Sequence, residues 1–255
     1  MRKDVNKLAA KDVPLKPATG TGRVDQVIDY IRDYVARENL RPGAKLPSET
    51  KLSTLIGVSR PVVREAMRAL AGTGLIEMAV GKRAIITPLD GEMIGQVIEN
   101  AVLIGQADTR NVLELRRSLE IGMVALAATR RSPDDISKLR SLLEAMRKAL
   151  HAGAEYSALD LRFHLALAEA AGNPLYVILI EAFRQVFEAS MRDGMERRSS
   201  NSEVEKVQQL HEAITEAVIA GDPAGASRAM SDHFDEAYDK FWSDRIGRLS
   251  ELQRE

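Results

Sequence analysis

The sequence predicts a mainly α-helical protein. An N-terminal winged helix-turn-helix of three helices and a β-hairpin is followed by an all-α antiparallel helical bundle of six or seven helices. Three observations predict it. Apolar residues keep helical spacing through most of the chain, while strand-like runs are confined to Ile76–Ala79 and Ala84–Thr87. Two short helical patterns, separated by Gly57-Val58, stand just before those runs. Charge is divided: residues 1–88 hold 16 Lys+Arg against 9 Asp+Glu, and residues 89–255 hold 20 against 28. A basic first part therefore precedes an acidic second part.

Residues 1–22 are polar and aperiodic and end in Gly20-Thr21-Gly22, which reads as a flexible tail. Residues 23–88 read as the winged domain. From Arg23 to Glu38, Val24, Val27, Ile28, Ile31 and Val35 share one helical face. Arg41-Pro42-Gly43 turns the chain. Ser48 is placed to N-cap the next helix, whose apolar positions are Leu52, Leu55 and Ile56, and Gly57 ends it. Ser59 is placed to N-cap the second helix of the motif, with Pro61 in its first turn and Val63, Ala66, Met67 and Leu70 on its buried face. Arg60, Arg64 and Arg68 recur every four residues and so line one exposed face. Gly74 stops the helix, and the two strands flank Val80-Gly81-Lys82-Arg83. Arginine at the start of such a helix can offer a two-pronged fork to guanine in the major groove. Lys82 and Arg83 at a hairpin tip suit phosphates or a narrow minor groove. Spacing alone also fits an ordinary solvated helix face.

Residues 89–245 read as the bundle and 246–255 as a C-terminal tail. Helices are expected near Gly91–Ile104 and Thr109–Arg130, then from Ser132-Pro133 to Ala152-Gly153, and over Glu155–Ala171. After Gly172-Asn173-Pro174, a fifth helix from Leu175 to Asp193–Gly194 is apolar almost all round and is expected to be central. Arg197–Ser202 reads as a loop, and Gly221-Asp222-Pro223 separates a sixth helix from a seventh that ends near Trp242.

Three of the four histidines fall on apolar stripes of this bundle. His164 shares a face with Asp160, Phe163 and Leu167; His211 with Val207, Ile214 and Val218; His233 with Ala226 and Met230. Three imidazoles and a carboxylate thus face the interior, where polar groups must be paired or must coordinate something. A shared divalent metal would satisfy all four together; separate hydrogen bonds would satisfy each alone. The fourth, His151, sits at a helix end where it can cap carbonyls.

The stretch Arg23–Pro88 resembles the N-terminal domain of the GntR superfamily of bacterial transcription regulators. The carriers are Arg41-Pro42-Gly43, Leu46-Pro47-Ser48-Glu49, Val58-Ser59-Arg60, Val63-Arg64-Glu65-Ala66, Gly74-Leu75-Ile76 and Gly81. The resemblance implies that Ser59, Arg60 and Arg64 touch DNA, with Gly81 in the wing; Arg68 and Lys82 join this set by position. The position after Leu-Pro-Ser-Glu, often a DNA-contacting arginine in the family, is Thr50 here; Thr50 completes the set of seven residues expected at DNA, and the operator is expected to differ. Residues from about 90 to 242 resemble the effector-binding domain of the FadR subfamily, through Glu114–Glu120, Asp160-Leu161-Arg162-Phe163-His164, Gly172-Asn173-Pro174-Leu175, His211-Glu212-Ala213-Ile214 and His233. That resemblance implies a divalent metal held by Asp160, His164, His211 and His233, with Zn the foremost ion and Ni, Mn or Fe as alternatives. Open positions on such an ion would let a small organic or sugar acid effector chelate it; the resemblance matches Arg116 to the subfamily's ligand-contacting arginine, and Asn173 is expected at the effector with it. The plain alternative for Arg116 is pairing with Glu120 one turn on.

The chain thus reads as a cytoplasmic, homodimeric, metabolite-responsive repressor of an inverted-repeat operator, and not as an enzyme. A metalloenzyme with an appended DNA-binding domain would need a general base beside the metal, for which Glu120 is the one candidate. A metal-free regulator with a pocket for a lipid-like ligand is the other rival. No run of ~18 apolar residues suits a membrane span. Cysteine is absent, which excludes disulfides and thiolate metal sites.

Overall fold

The computed structural model describes residues 22–150, 154–184 and 201–252. The expected tail at 1–22 lies outside these residues except for Gly22, as do His151, the expected end of the fifth helix at Asp193–Gly194, and the start of the Arg197–Ser202 loop. The chain divides into two units, Met1–Leu89 and Asp90–Glu255.

The first unit is built from α1 (Arg23–Arg37), α2 (Glu49–Ile56), α3 (Arg60–Gly72), β1 (Ile76–Glu77) and β2 (Ile85–Ile86). Its core gathers Val27 and Ile31 of α1, Leu52 of α2, and Val63, Ala66, Met67 and Leu70 of α3 against Leu46, Ile76 and Ile86. These are the positions that helical spacing turns inward. Ser48 caps α2 by accepting from the Lys51 N–H at 3.2 Å, and Gly57 ends it at φ 77°, a left-handed conformation that costs other residues energy. The Ser53 hydroxyl donates to the Val58 carbonyl at 2.6 Å and so ties the turn into α3. Ser59 has the extended backbone of an N-cap, but its side chain makes no capping bond.

The hairpin is shorter than the sequence suggests. Its ladder pairs Ile76 with Ile86 and Glu77 with Ile85, and Lys45 adds a single bridge to Ile85. Only alternate residues of a half-buried pair face the core, and here those are Ile76 and Ile86, backed by Ala84.

The second unit contains α4 (Glu92–Leu103), α5 (Thr109–Arg130), α6 (Pro133–Lys148), α7 (Ala154–Ala170), α8 (Pro174–Ala182), α9 (Asn201–Ala220) and α10 (Pro223–Leu252). Caps fix several starts. Asp108 and Asn111 exchange bonds at the head of α5, Ser132 and Asp135 do so at α6, and Asn173 accepts from the Leu175 N–H at 3.1 Å to start α8. Helix α5 packs on α7, α9 and α10; α7 also packs on α6 and α8.

Two expectations change. Helix α10 continues to Leu252, past the end expected at Trp242, so residues 246–252 are helical and not a tail. The apolar periodicity fades there, but no proline or capping signal stops the helix, and fading periodicity alone does not end one. The other change concerns which helix is central. In α8, Ile180 and Ala182 are buried, yet Leu175 is 63% exposed. Among the described residues, the helix enclosed on nearly every side is α7, whose Tyr156, Leu159, Asp160, Phe163, His164, Leu167 and Ala170 are all buried.

Candidate functional site

The first candidate site lies in the winged unit. Helix α3 and the hairpin enclose a groove of about 510 Å³ lined by Thr50, Arg60, Arg64, Arg68, Gly81 and Lys82, among others. Six of the seven residues expected at DNA therefore share one concave, basic surface; Ser59 is exposed just before α3. Gly81 adopts φ 72°, so its requirement is conformational, since a Cβ there would meet nothing within 4 Å.

Two side chains differ from the sequence reading. Arg83, expected at the hairpin tip with Lys82, donates from Nε and Nη2 to the Leu46 carbonyl at 2.8 and 2.6 Å. It locks the hairpin to the loop before α2, because that carbonyl would otherwise be left unsatisfied. Arg64 is gripped by Glu49, with Nε 3.0 Å from Oε1 and Nη2 2.8 Å from Oε2. The hydrogen bond and charge of Arg64 hold the Glu49 carboxyl below its usual range. Glu49 thereby fixes the Arg64 guanidinium at the wall of the groove, a role that no local sequence signal announces.

The second candidate site lies inside the helical unit. Asp160 and His164 of α7, His211 of α9 and His233 of α10 are all buried. A single potential ligand atom from each histidine lies within 4.8 Å of those of the other two. The His211 and His233 rings are 4.6 Å apart between centres. Asp160 Oδ1 lies 2.8 Å from His211 Nε2, and Oδ2 lies 3.8 Å from His164 Nε2. Two ligands of one tetrahedral ion at ordinary bond lengths are about 3 Å apart, so this carboxylate has the spacing of a shared ligand. His233 Nδ1 is buried without a hydrogen-bond partner among the described residues.

The surroundings fix the protonation states. Burial and then repulsion from His211 and His164 push His233 well below its ordinary pKa, which keeps it neutral with a lone pair to offer. Burial opposes ionisation of Asp160, but its close approach to His211, through charge and a hydrogen bond, and then to His164 outweighs it and holds the carboxyl below its ordinary range. Phe163 closes one side, edge-on to His211 at 5.0 Å, and Phe234 stands 5.5 Å from His233. The Tyr156 hydroxyl lies 3.3 Å from His211 Nδ1. The sequence reading missed Tyr156; its only signal is a place two turns before Phe163 on the same face of α7.

Arg116 and Glu120 of α5 are buried beside this cluster. Arg116 Nε donates to Glu120 Oε1 at 2.8 Å, and Arg116 Nη2 is 2.7 Å from the same oxygen. The other carboxylate oxygen, Oε2, pairs with His164 Nδ1. The pairing of Arg116 with Glu120 one turn on is therefore realised. Asn173, by contrast, caps α8 and, among the described residues, makes no hydrogen bond to His164, His211 or His233.

The sequence and fold have known relatives. Residues 23–86 match the family described as bacterial regulatory proteins, gntR family, and residues 111–236 match the FCD domain. The chain is 35% identical over 196 residues to the HTH-type transcriptional regulator LutR of Bacillus subtilis (strain 168), covering 76% of this chain and 90% of that one. It is 31% identical over 214 residues to a protein of Escherichia coli (strain K12) whose name assigns it to regulation of an L-lactate dehydrogenase operon, covering 82% of each chain. A GntR structure from Streptococcus agalactiae superposes with a TM-score of 0.68 at 26% identity, over 84% of this chain and 97% of that one.

Proposed function

The chain belongs to the GntR family of bacterial transcription regulators, and from that membership we infer how its two units divide the work. It is a metabolite-responsive regulator rather than an enzyme: the winged unit engages DNA, and the FCD unit receives a small molecule. Beyond this, the helical unit holds one divalent ion through Asp160, His164, His211 and His233, and the ion anchors a small carboxylic acid. The observation that carries the reading is the convergence of three buried imidazoles, with the Asp160 carboxylate beside two of them and His233 Nδ1 left without a hydrogen bond among the described residues. Buried polar atoms of that kind are stabilised by a shared ion. The donor set suits Zn, and also Ni, Mn or Fe.

The ion supplies an open coordination position at which a hydroxy, keto or sugar acid can replace water. Arg116 supplies the fixed positive charge beside it, since a guanidinium carries five N–H donors and matches carboxylates in two-pronged geometry. L-lactate is the first acid to try, given the name of the relative from E. coli. The regulator acts in the cytoplasm as a repressor and binds an inverted repeat as a two-fold dimer. Support for pairing comes from α4, where Met93, Ile94 and Val97, with Ile104 just after its end, are exposed apolar residues along one side. The boundary between Leu89 and Asp90 serves this division of labour.

Calorimetry with L-lactate and a panel of small hydroxy and sugar acids tests the reading. An acid that binds wild type is expected to bind metal-stripped protein and Arg116→Ala at least tenfold more weakly, roughly the loss of one charge-assisted bond. Equal binding by all three would remove both the ion and Arg116 from the effector site.

A further inference from the structure

We propose that Glu120 is a positioning residue of the metal centre: its carboxylate, clamped by Arg116 through one oxygen, holds His164 through the other so that Nε2 faces the ion. The inference rests on the metal reading given above and goes beyond its four ligands.

Arg116, Glu120 and His164 are each at most 1% exposed and form one continuous chain from α5 to α7. Glu120 Oε1 is 2.8 Å from Arg116 Nε, and Oε2 pairs with His164 Nδ1. A carboxylate paired with a guanidinium is an acceptor only. The imidazole hydrogen therefore stays on Nδ1, and the lone pair of Nε2 points the other way. That side is where the remaining ligands lie, with Asp160 Oδ2 3.8 Å from His164 Nε2 and the His233 ring centre 5.3 Å from that of His164. Among the described residues the other imidazoles are held differently. Nδ1 of His211 faces the neutral hydroxyl of Tyr156 at 3.3 Å, so Glu120 places a full negative charge on one ligand alone. Such a partner raises the basicity of a histidine ligand, and its removal typically costs 10–100-fold in metal affinity. Arg116 makes the arrangement tolerable, because a buried carboxylate without a cation is strongly disfavoured.

The competing account is a buried ion pair that only braces α5. It predicts lower stability without a change in the metal site. Full-length wild type and Glu120→Gln, each shown to be folded by circular dichroism, are titrated with Zn²⁺ against a chelator and with Co²⁺ by visible absorption. The proposal predicts about 10–100-fold weaker Zn²⁺ binding and an altered Co²⁺ spectrum in Glu120→Gln. Unchanged affinity and an unchanged spectrum overturn it while leaving the metal reading intact. Because the variant can fail to fold, nitrogen NMR of the histidine side chains in Zn²⁺-loaded wild type gives a second arm. Hydrogen on Nδ1 of His164 with the ion on Nε2 is the expected result, and the reverse overturns the proposal. Wild type that takes up no ion at all overturns the metal reading and this inference together.

Discussion

Arg64 shows how much a single side chain can be shaped by a distant partner. Its fork is held by Glu49, 15 residues earlier in the chain, so it is presented to the groove already oriented. Arg60 lies in the same groove. Substituting Arg60 by Ala is expected to cost ~1–3 kcal/mol against a duplex selected by the protein from random sequence, and to relax preference at one base pair. Lys82→Ala should instead weaken all duplexes evenly and lower the salt slope by about one. Equal binding of selected and random duplexes by wild type would remove the reading role from this surface. His233 gives a second prediction at this scale. Its folded pKa is depressed, so the unfolded chain binds a proton at a higher pH than the folded chain does. Its contribution is therefore fully present above the unfolded value of about 6.5 and is lost as pH falls from there toward the folded value. In metal-stripped protein, stability should decline below about pH 6.5 by up to ~1.4 kcal/mol per pH unit from this group. His233→Gln should remove that part of the slope, as followed by denaturant unfolding.

Helix α4 meets α8 without room for a side chain on its inner face. A Cβ at Gly95 would lie 2.9 Å from the Ala182 carbonyl oxygen, and one at Gly91 would lie 2.3 Å from the Ala182 nitrogen and 2.5 Å from the Ile178 carbonyl oxygen. Alanine replacing glycine in an open helix gains about 1 kcal/mol. Gly122 in α5 has nothing within 4 Å of such a Cβ, so Gly122→Ala should raise the melting temperature. Gly95→Ala should instead lower stability by ~1–3 kcal/mol through overpacking; a gain at Gly95 would show that the two helices are not in close contact. Much of the element order was legible because its signals are local. Ser48 and Gly57 bracket α2, Ser132-Pro133 opens α6, and apolar spacing sets α1 and α3. His211 was legible as inward-facing because it interrupts an otherwise apolar stripe of α9. Pairings between elements were not legible. Glu120 reaches His164 across 44 residues, and Arg83 turns from the hairpin tip to a carbonyl 37 residues away. Each depends on packing that no window of sequence contains. The extent of α10 was missed for a different reason, since a helix lacking a stop signal can outrun its apolar pattern.

Across the whole molecule, a basic DNA-reading unit and an acidic ligand-binding unit must be linked by an equilibrium that the effector biases, and only a difference in affinity between two arrangements can do this. A two-fold dimer would make that bias act on both halves of an operator at once. Val97→Glu on the exposed face of α4 should convert the proposed dimer to a monomer by light scattering and weaken operator binding with it; a dimer that persists would place the interface elsewhere. The account depends most on the ion at Asp160, His164, His211 and His233. A metal bound only to the folded chain raises its stability by mass action. Elemental analysis of gently purified full-length protein, paired with its melting temperature before and after adding Zn²⁺, Mn²⁺ or Ni²⁺, tests this directly. The account predicts about one divalent ion per chain, a lower content in the Asp160, His164, His211 and His233 alanine variants, and a melting temperature that falls on chelation and returns with the ion. Wild-type protein that carries no ion and gains no stability from any of the three would contradict it.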